Sequence, residues 1–238
     1  VHMKKKIMAS LLVGSAVVSA SLTPLSAQAV TTGNTPVSVG IGGGALPDHD
    51  SDVIEVDPDP NAPNTDFDLL AIPKSLNFSP VKIGDDLSAI KLLPGERGRS
   101  VMVGDLRGTK EGWHVTGEIS GMTNPNSTEQ LEGSIRLVPR TVYARYIISS
   151  GTGFYITETS QNGIDIANNP VAPVSNEANL KLGGGASTLM SASIGKGQGT
   201  WAANLMDVDL NVTTPTQELK KGGYIGYITW NLVAGPSI

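Results

Sequence analysis

Two pairs of charged residues have a spacing that could support chemistry. Asp207 and Asp209 lie two residues apart in an alternating apolar stretch, so a strand would place both carboxylates on one face. Retaining glycosidases use two carboxyl groups ~5–5.5 Å apart, which is near that separation. Asp105 and Arg107 have the same spacing within Val-Gly-Asp-Leu-Arg-Gly, where a pair across a turn is expected. Exposed strands and turns carry such pairs routinely, so a structural role is favoured over catalysis for both.

No cluster of residues predicts a metal site or an activated nucleophile. The chain has no cysteine, and His114 is the one histidine beyond residue 66, whereas zinc sites need several Cys or His ligands. The Gly-x-Ser-x-Gly elbow of serine hydrolases is absent. Asp48-His-Asp-Ser-Asp52 alternates carboxylates as calcium loops do, but Val53 stands where an EF-hand needs glycine. The sequence therefore predicts no enzyme, no cofactor and no metal.

Two of the three tryptophans lie in stretches that alternate with period two, which places every second residue on the same face of a strand. The apolar faces hold Trp113, Val115 and Ile119 in one stretch, and Ile228, Trp230 and Leu232 in the other. His114 and Asn231 lie on the opposite faces. Because burying a tryptophan removes roughly 150–250 Å² from water, both tryptophans are expected to pack in the core.

The elements that would position these residues are short strands. Apolar stretches bounded by Gly, Pro, Asn or Asp recur from residue 67 onward, and no long stretch has a helical period. The clearest are 100–103, 113–116, 135–138, 142–148, 153–157, 208–212 and 224–232. The pattern predicts an all-β fold, an antiparallel β-sandwich of Greek-key type, with a β-barrel as the alternative. Residues 67–238 are enough to bury a core without disulfides.

The first 29 residues have the organisation of a secretory signal peptide. Three lysines at 4–6 precede an apolar stretch, 7–22, and Ala27-Gln28-Ala29 is a small-residue cleavage site. The apolar stretch is shorter than the ~20 residues of a membrane span. We expect cleavage after Ala29 and a secreted mature chain without a transmembrane segment. No Leu-Pro-x-Thr-Gly sorting signal is present.

Residues 30–66 have the composition of a disordered, extended linker. They are rich in Gly, Pro and Thr, and residues 48–68 hold eight acids and no Lys or Arg. Removing residues 1–29 takes away three lysines and no acid, so the net charge changes from −5 to −8. No basic stripe remains, and nucleic acid is therefore not an expected partner.

Three ordered motifs carry a family resemblance. They are Val103-Gly-Asp105-Leu-Arg107-Gly108 followed by Trp113, Gly197-Gln-Gly-Thr-Trp201 followed by "KKGGY", and Trp230-Asn231-Leu232. Together they resemble the WxL domain of Gram-positive surface proteins, over about residues 67–238. That family pairs a proximal Trp motif with a distal Trp-x-Leu. In the proximal motif of this chain, Val115 stands in place of leucine.

The resemblance implies non-covalent attachment to the cell wall, with peptidoglycan as ligand and other surface proteins as possible partners. The implied binding residues are Trp113, His114, Val115, Trp230, Asn231 and Leu232, and the implied turn motif is Asp105, Arg107 and Gly108. Three hypotheses remain: a wall-binding module, a scaffold subunit that binds another surface protein, and a wall-active glycosidase. The alternation indicates that the tryptophans shape the domain, which leaves His114 and Asn231 as the residues to test for recognition.

Overall fold

The computed structural model describes residues 35–95 and 99–236. The predicted signal peptide lies outside these ranges. The chain divides into two units, Val1–Gly40 and Ile41–Ile238. The described part of the first unit, residues 35–40, is exposed and has no regular secondary structure. All the strands below belong to the second unit.

The regular secondary structure of the described residues is almost entirely β-strand, which confirms the all-β prediction. The strands are β1 Glu55–Val56, β2 Phe67–Pro73, β3 Ile90–Lys91, β4 Ser100–Asp105, β5 Trp113–Ile119, β6 Met122–Thr123, β7 Gln130–Leu131, β8 Gly133–Ser149, β9 Thr152–Glu158, β10 Ser160–Gln161, β11 Ile164–Asp165, β12 Val174–Ser175, β13 Ala178–Lys181, β14 Ser187–Ala192, β15 Gly199–Val212 and β16 Ile228–Ala234. One 3-10 turn spans Ile166–Asn168. No helix in the described ranges is long and apolar enough to cross a membrane.

The strands form two main antiparallel sheets. The larger sheet has the order β1-β2-β4-β15-β8-β13, with β3 added on β15 and β9 on β8, and it curls into a half-barrel. The smaller sheet has the order β12-β14-β5-β16. The pairs β6-β7 and β10-β11 form two small hairpins. The long strands β8 and β15 pair with each other over most of their length and form the centre of the larger sheet.

The main core lies between the two sheets. Trp113 and Val115 point into it from the smaller sheet, and Val103, Leu137 and Trp201 point into it from the larger one. Alternation explains the layering: in β15, Trp201 and Ala203 face this core, whereas Ala202 between them faces a second apolar cluster on the other side of the larger sheet. One sheet therefore has apolar layers on both faces.

The second cluster is covered by residues 44–50, here called the covering segment. Leu46 and His49 in this segment are each 4% exposed. The backbone N–H of Asp50 donates to the carbonyl of Gly153 at 2.8 Å, and the Tyr155 hydroxyl donates to the carbonyl of Pro47 at 2.9 Å. The segment thus closes over β9 and β4.

The composition of residues 30–66 predicts a disordered linker, whereas the covering segment within this range lies against the larger sheet. The low average hydrophobicity of the segment predicts disorder. The segment nevertheless buries apolar surface, because a very small number of its side chains pack against the sheet. Leu46 packs directly over Gly104, whose missing Cβ leaves the space for it. A composition average cannot detect one well-placed leucine and a set of backbone hydrogen bonds.

Candidate functional site

The two tryptophan motifs lie on neighbouring strands. β5 and β16 pair in antiparallel fashion over seven residues, so Val115 is opposite Leu232 and Gly117 is opposite Trp230. Proximal and distal motifs that are more than 100 residues apart in the chain therefore form one continuous surface on the smaller sheet. The burial of both strands alternates with the predicted faces, which confirms the period-two interpretation.

Trp113 is a core residue. Its side chain is fully buried, and the indole Nε1–H donates to the carbonyl oxygen of Gly197 at 3.0 Å. Gly197 has φ +77°, and a Cβ there would lie 2.6 Å from the indole nitrogen. The glycine therefore allows the backbone at position 197 to lie directly against the ring. This buried indole has no surface to offer a ligand.

Trp230 is placed differently. It is half-buried and packs against the edge of the main core. Its six-membered ring lies over Gly117, where an added Cβ would come within 2.7 Å of the ring, and beside Leu180. A glycine on the neighbouring strand thus provides a groove for the indole. The prediction that Trp230 faces the core is confirmed in direction, but its burial is partial.

The turn before Trp113 is held by an ion pair. The Arg107 guanidinium donates from Nε and Nη2 to the two carboxylate oxygens of Asp105, at 2.9 Å each. Nη1 also contacts Glu111, and the guanidinium lies 3.6 Å from the centre of the Phe67 ring. Asp105 is 1% exposed, and its carboxylate raises the pKa of Arg107 above the usual value. The pairing expected from the spacing is present, and it fixes the loop that leads into β5.

Gly108 belongs to the same loop. It has φ +75°, a left-handed conformation that favours glycine. With the Asp105–Arg107 pair, it lets the chain turn between β4 of the larger sheet and β5 of the smaller one. The motif therefore connects the two sheets at the point where the proximal tryptophan begins.

The outer face of the smaller sheet is polar. Strand pairing aligns Thr188 with Thr116 and Asn231, and Ser191 with His114 and Val233. These six side chains and those of Glu118 and Thr229 are half-buried or exposed, and no described strand covers them. We call this surface the outer polar face. Hydroxyl and amide groups dominate it, with Glu118 as its one acid.

His114 is held in place on the outer polar face. Its Nδ1 lies 2.9 Å from the carbonyl oxygen of Gly235, where an Nδ1–H can donate. That bond ties the end of β16 to β5 and fixes the imidazole ring. Both His114 and Asn231 are therefore on the face that a ligand can reach, as the alternation predicted.

Tyr227 lies at one end of the outer polar face. Its carbonyl accepts the backbone N–H of Ser120, its own N–H donates to the Ser120 hydroxyl, and the residue is 76% exposed. The sequence motifs did not select Tyr227 as a binding residue. A signal was present in the sequence, because Tyr227 lies an even number of residues from Asn231 and adds an aromatic ring to a mainly polar face.

The paired carboxylates of β15 are engaged in ion pairs. Lys91 contacts both Asp207 and Asp209, and Arg136 lies 3.2 Å from Asp209 while also binding Glu177. Donation to the two aspartates raises the pKa of Lys91. Both candidate carboxylates therefore lie in a cluster of three carboxylates and two cations, whereas a retaining glycosidase needs one free nucleophile and one protonated acid.

The Asp48–Asp52 region shows no calcium-loop arrangement. Asp48 accepts the backbone N–H of Asn64 at 2.6 Å, and Asp50 accepts that of Gly153 at 3.3 Å. Among the residues that the structure describes, no three His, Cys, Asp or Glu side chains converge as metal ligands would. These carboxylates fasten the covering segment.

The comparisons with known proteins agree with the geometry. The family model described as "WxL domain surface cell wall-binding" matches residues 28–236. Its match includes residues 41–66, which belong to the second unit. The curated proteins and the solved structures contain no significant match. With nearly the whole chain matched, and with both tryptophan motifs on adjacent strands, the chain belongs to the WxL family of surface cell wall-binding domains.

Proposed function

We propose that this protein is a secreted, non-enzymatic module that binds peptidoglycan non-covalently through its outer polar face. The supporting observation is the pairing of β5 with β16. It turns Trp113 inward and brings His114, Thr116 and Asn231 together on an uncovered surface. Aligned hydroxyl, amide and imidazole groups offer the donors and acceptors that sugars and peptide stems require.

Tyr227 completes this proposed site. Exposed aromatic rings bind the apolar faces of sugars while their polar ends remain hydrated. The ring lies beyond Thr229 on the same parity as Asn231, so one extended glycan could contact both. In this proposal Trp230 holds β16 in position, and only the exposed edge of its indole ring is available to contact the glycan.

The test is retention on purified peptidoglycan sacculi stripped of protein. We expect Asn231→Ala and Tyr227→Ala each to weaken retention about tenfold, the equivalent of ~1.4 kcal/mol, with unchanged denaturant midpoints. Gln217→Ala and Ile148→Ala are the matched controls, since both residues are exposed away from this face. Unchanged retention in both outer-face variants would refute the proposed site.

Attachment has its own test. A non-covalent bond predicts complete release from walls by strong denaturant, and the acidic mature chain predicts little release by moderate salt. Material that resists boiling denaturant and is freed only by muramidase digestion would contradict non-covalent attachment.

The scaffold function is the second candidate. It is favoured by apolar side chains at the borders of the smaller sheet: Val174 is 56% exposed, Val233 41% and Ile225 53%. Such residues are typical of surfaces that contact another protein. Retention on crude walls together with no retention on protein-free sacculi would favour this candidate over direct peptidoglycan binding.

A further inference from the structure

A second concave surface shares no residue with the Trp113 and Trp230 motifs, but it includes the KKGGY residues 220–224. It encloses about 720 Å³ between residues 76–87, the β3–β15 pair, and residues 219–224. Pockets of roughly 300–1,000 Å³ with apolar walls and few polar groups are typical of small-molecule sites. The proposed wall-binding function makes no use of it.

The walls of this cavity are apolar and continuous with the main core. Ile90, Leu131 and Leu210 form its buried base, and Leu76, Phe78 and Tyr224 form partly exposed walls. Leaving such side chains open to water is unfavourable. An occupant with an apolar body would remove that surface from water.

The opening of the cavity is cationic, although the mature chain is strongly acidic. Lys82, Lys220 and Lys221 line it and are exposed. Lys220 is paired with Glu129. No described carboxylate forms an ion pair with the ammonium group of Lys82 or Lys221, although the Asp85 carboxylate accepts the backbone N–H of Lys82 at 2.8 Å. Two ammonium groups at the mouth of an apolar cavity complement an anionic group attached to an apolar chain.

The loop that carries Lys220 and Lys221 is fixed. The Tyr224 hydroxyl donates to the carbonyl of Lys220 at 3.0 Å, and the backbone of Gly222 lies against the buried side chain of Asn124. The "KKGGY" sequence therefore builds a rigid rim. A preformed rim reduces the cost of ordering that binding would otherwise require.

We propose that this cavity binds one apolar chain of an amphiphile that carries an anionic head, such as a carboxylate or a phosphate. The chain lies against Ile90, Leu131 and Leu210, and the head lies at Lys82 and Lys221. The shared chemistry has two sources, a free fatty acid or a lipid of the membrane surface.

The first experiment is calorimetric titration of the full chain with decanoate and with 1-decanol. Decanoate should bind more tightly than the neutral alcohol. Gly223→Phe should abolish binding of both, because position 223 lines the cavity and a side chain there enters open space. Gly185→Phe is the matched control, since it also has open space but lies outside the cavity. Residues 1–29 are common to all variants, so differences between variants report on the cavity.

The second experiment tests the head group. Lys82→Gln with Lys221→Gln should weaken decanoate binding about three- to tenfold, the size of two partly exposed ion pairs, and leave decanol binding unchanged. Lys181→Gln with Lys196→Gln, which removes the same charge elsewhere, should change neither. Absence of decanoate binding, or equal binding by a folded Gly223→Phe protein, would overturn the proposal.

A vesicle arm distinguishes the two sources. Cosedimentation with phosphatidylglycerol vesicles that is lost in the Lys82→Gln, Lys221→Gln protein assigns the ligand to a membrane lipid. Decanoate binding without such cosedimentation assigns it to a free amphiphile. Neither readout involves sacculi, so the result is independent of the peptidoglycan proposal.

Discussion

The outer face of the larger sheet is covered by the chain itself, whereas the outer face of the smaller sheet is open. On the larger sheet, Leu46 and His49 of the covering segment close over an apolar layer that includes Met102 and Tyr155. On the smaller sheet, most of the corresponding positions are hydroxyl, amide and imidazole groups that water can reach, with Val174 and Val233 as exposed apolar side chains at the borders. An apolar outer face has to be covered to be stable, and a polar one can remain free for a ligand.

The same difference separates the two motif tryptophans. Trp113 is fully buried, whereas Trp230, on the edge strand β16, lies in a groove over Gly117 of β5. Both tryptophans belong to the motifs that define the family, but they differ in how deeply they are buried. Substitutions on the two sheets and in the two motifs therefore have different expected consequences.

The largest effect is expected at Trp113. Trp113→Ala should lower the free energy of unfolding by about 3–5 kcal/mol, because it empties a closed site and leaves the Gly197 carbonyl without its donor. Trp230→Ala should cost about 1–3 kcal/mol, since half-exposed side chains bury less area. Denaturant midpoints of the two variants provide the test. Equal losses, or a larger loss at Trp230, would contradict the distinction between them.

Leu46 tests whether the covering segment is part of the fold. Leu46→Ala should lower the free energy of unfolding by about 2–4 kcal/mol, while the folded fraction keeps its retention on sacculi. Val39→Ala is the control, because that side chain is 84% exposed and its loss should change stability by less than about 0.5 kcal/mol. If residues 44–50 were the flexible linker that their composition indicates, both variants would behave alike.

Glu55 gives the larger sheet a dependence on pH. Burial raises the pKa of Glu55 from 4.5 to about 7. This effect outweighs the hydrogen bond from the Ser100 backbone and the charge of Arg99, which both lower the pKa. A raised carboxyl pKa means that stability is present below about pH 4.5 and is lost as pH rises through about 7. Glu55→Gln should therefore stabilise the protein by on the order of 1–3 kcal/mol at pH 8.

Thermal unfolding of Glu55→Gln between pH 5 and pH 8 measures this effect. Burial lowers the pKa of His49, which acts in the opposite direction as pH falls, so both proteins must keep His49. Glu218→Gln is the matched control, because it removes one negative charge at an exposed position. A Glu55→Gln protein with the same pH profile as the parent would show that Glu55 does not titrate in this way.

The smallest change in stability is expected on the outer polar face. His114→Ala removes one hydrogen bond, to Gly235, and should cost about 0.5–1.5 kcal/mol. The same substitution should reduce retention on sacculi if the open face is the binding surface. The denaturant midpoint and the retention on sacculi should be measured in parallel for His114→Ala. Lost retention together with a large loss of stability would show that His114 has a structural role and not a binding role.

Much of this domain could be predicted from local patterns. Period-two alternation identified the strands around Trp113 and Trp230 and assigned their faces correctly. The spacing of Asp105 and Arg107 indicated their pairing. These features depend on residues close together in the chain, where strand geometry leaves little freedom.

Other features depended on residues far apart in the chain. The groove for Trp230 requires Gly117, and the neutralisation of Asp209 requires Lys91 and Arg136. The covering role of Leu46 requires Gly104. No window of sequence contains these partners together, so neither composition nor periodicity could reveal them.

The sequence by itself determined the strand faces, the acidic charge and the family, because side-chain alternation and motif order are written along the chain. The tertiary structure decided which faces stay open. Strand order placed β16 beside β5 and left their polar side uncovered, and the covering segment closed the other sheet. Exposure is a property of what packs against a face, and that partner comes from another part of the chain.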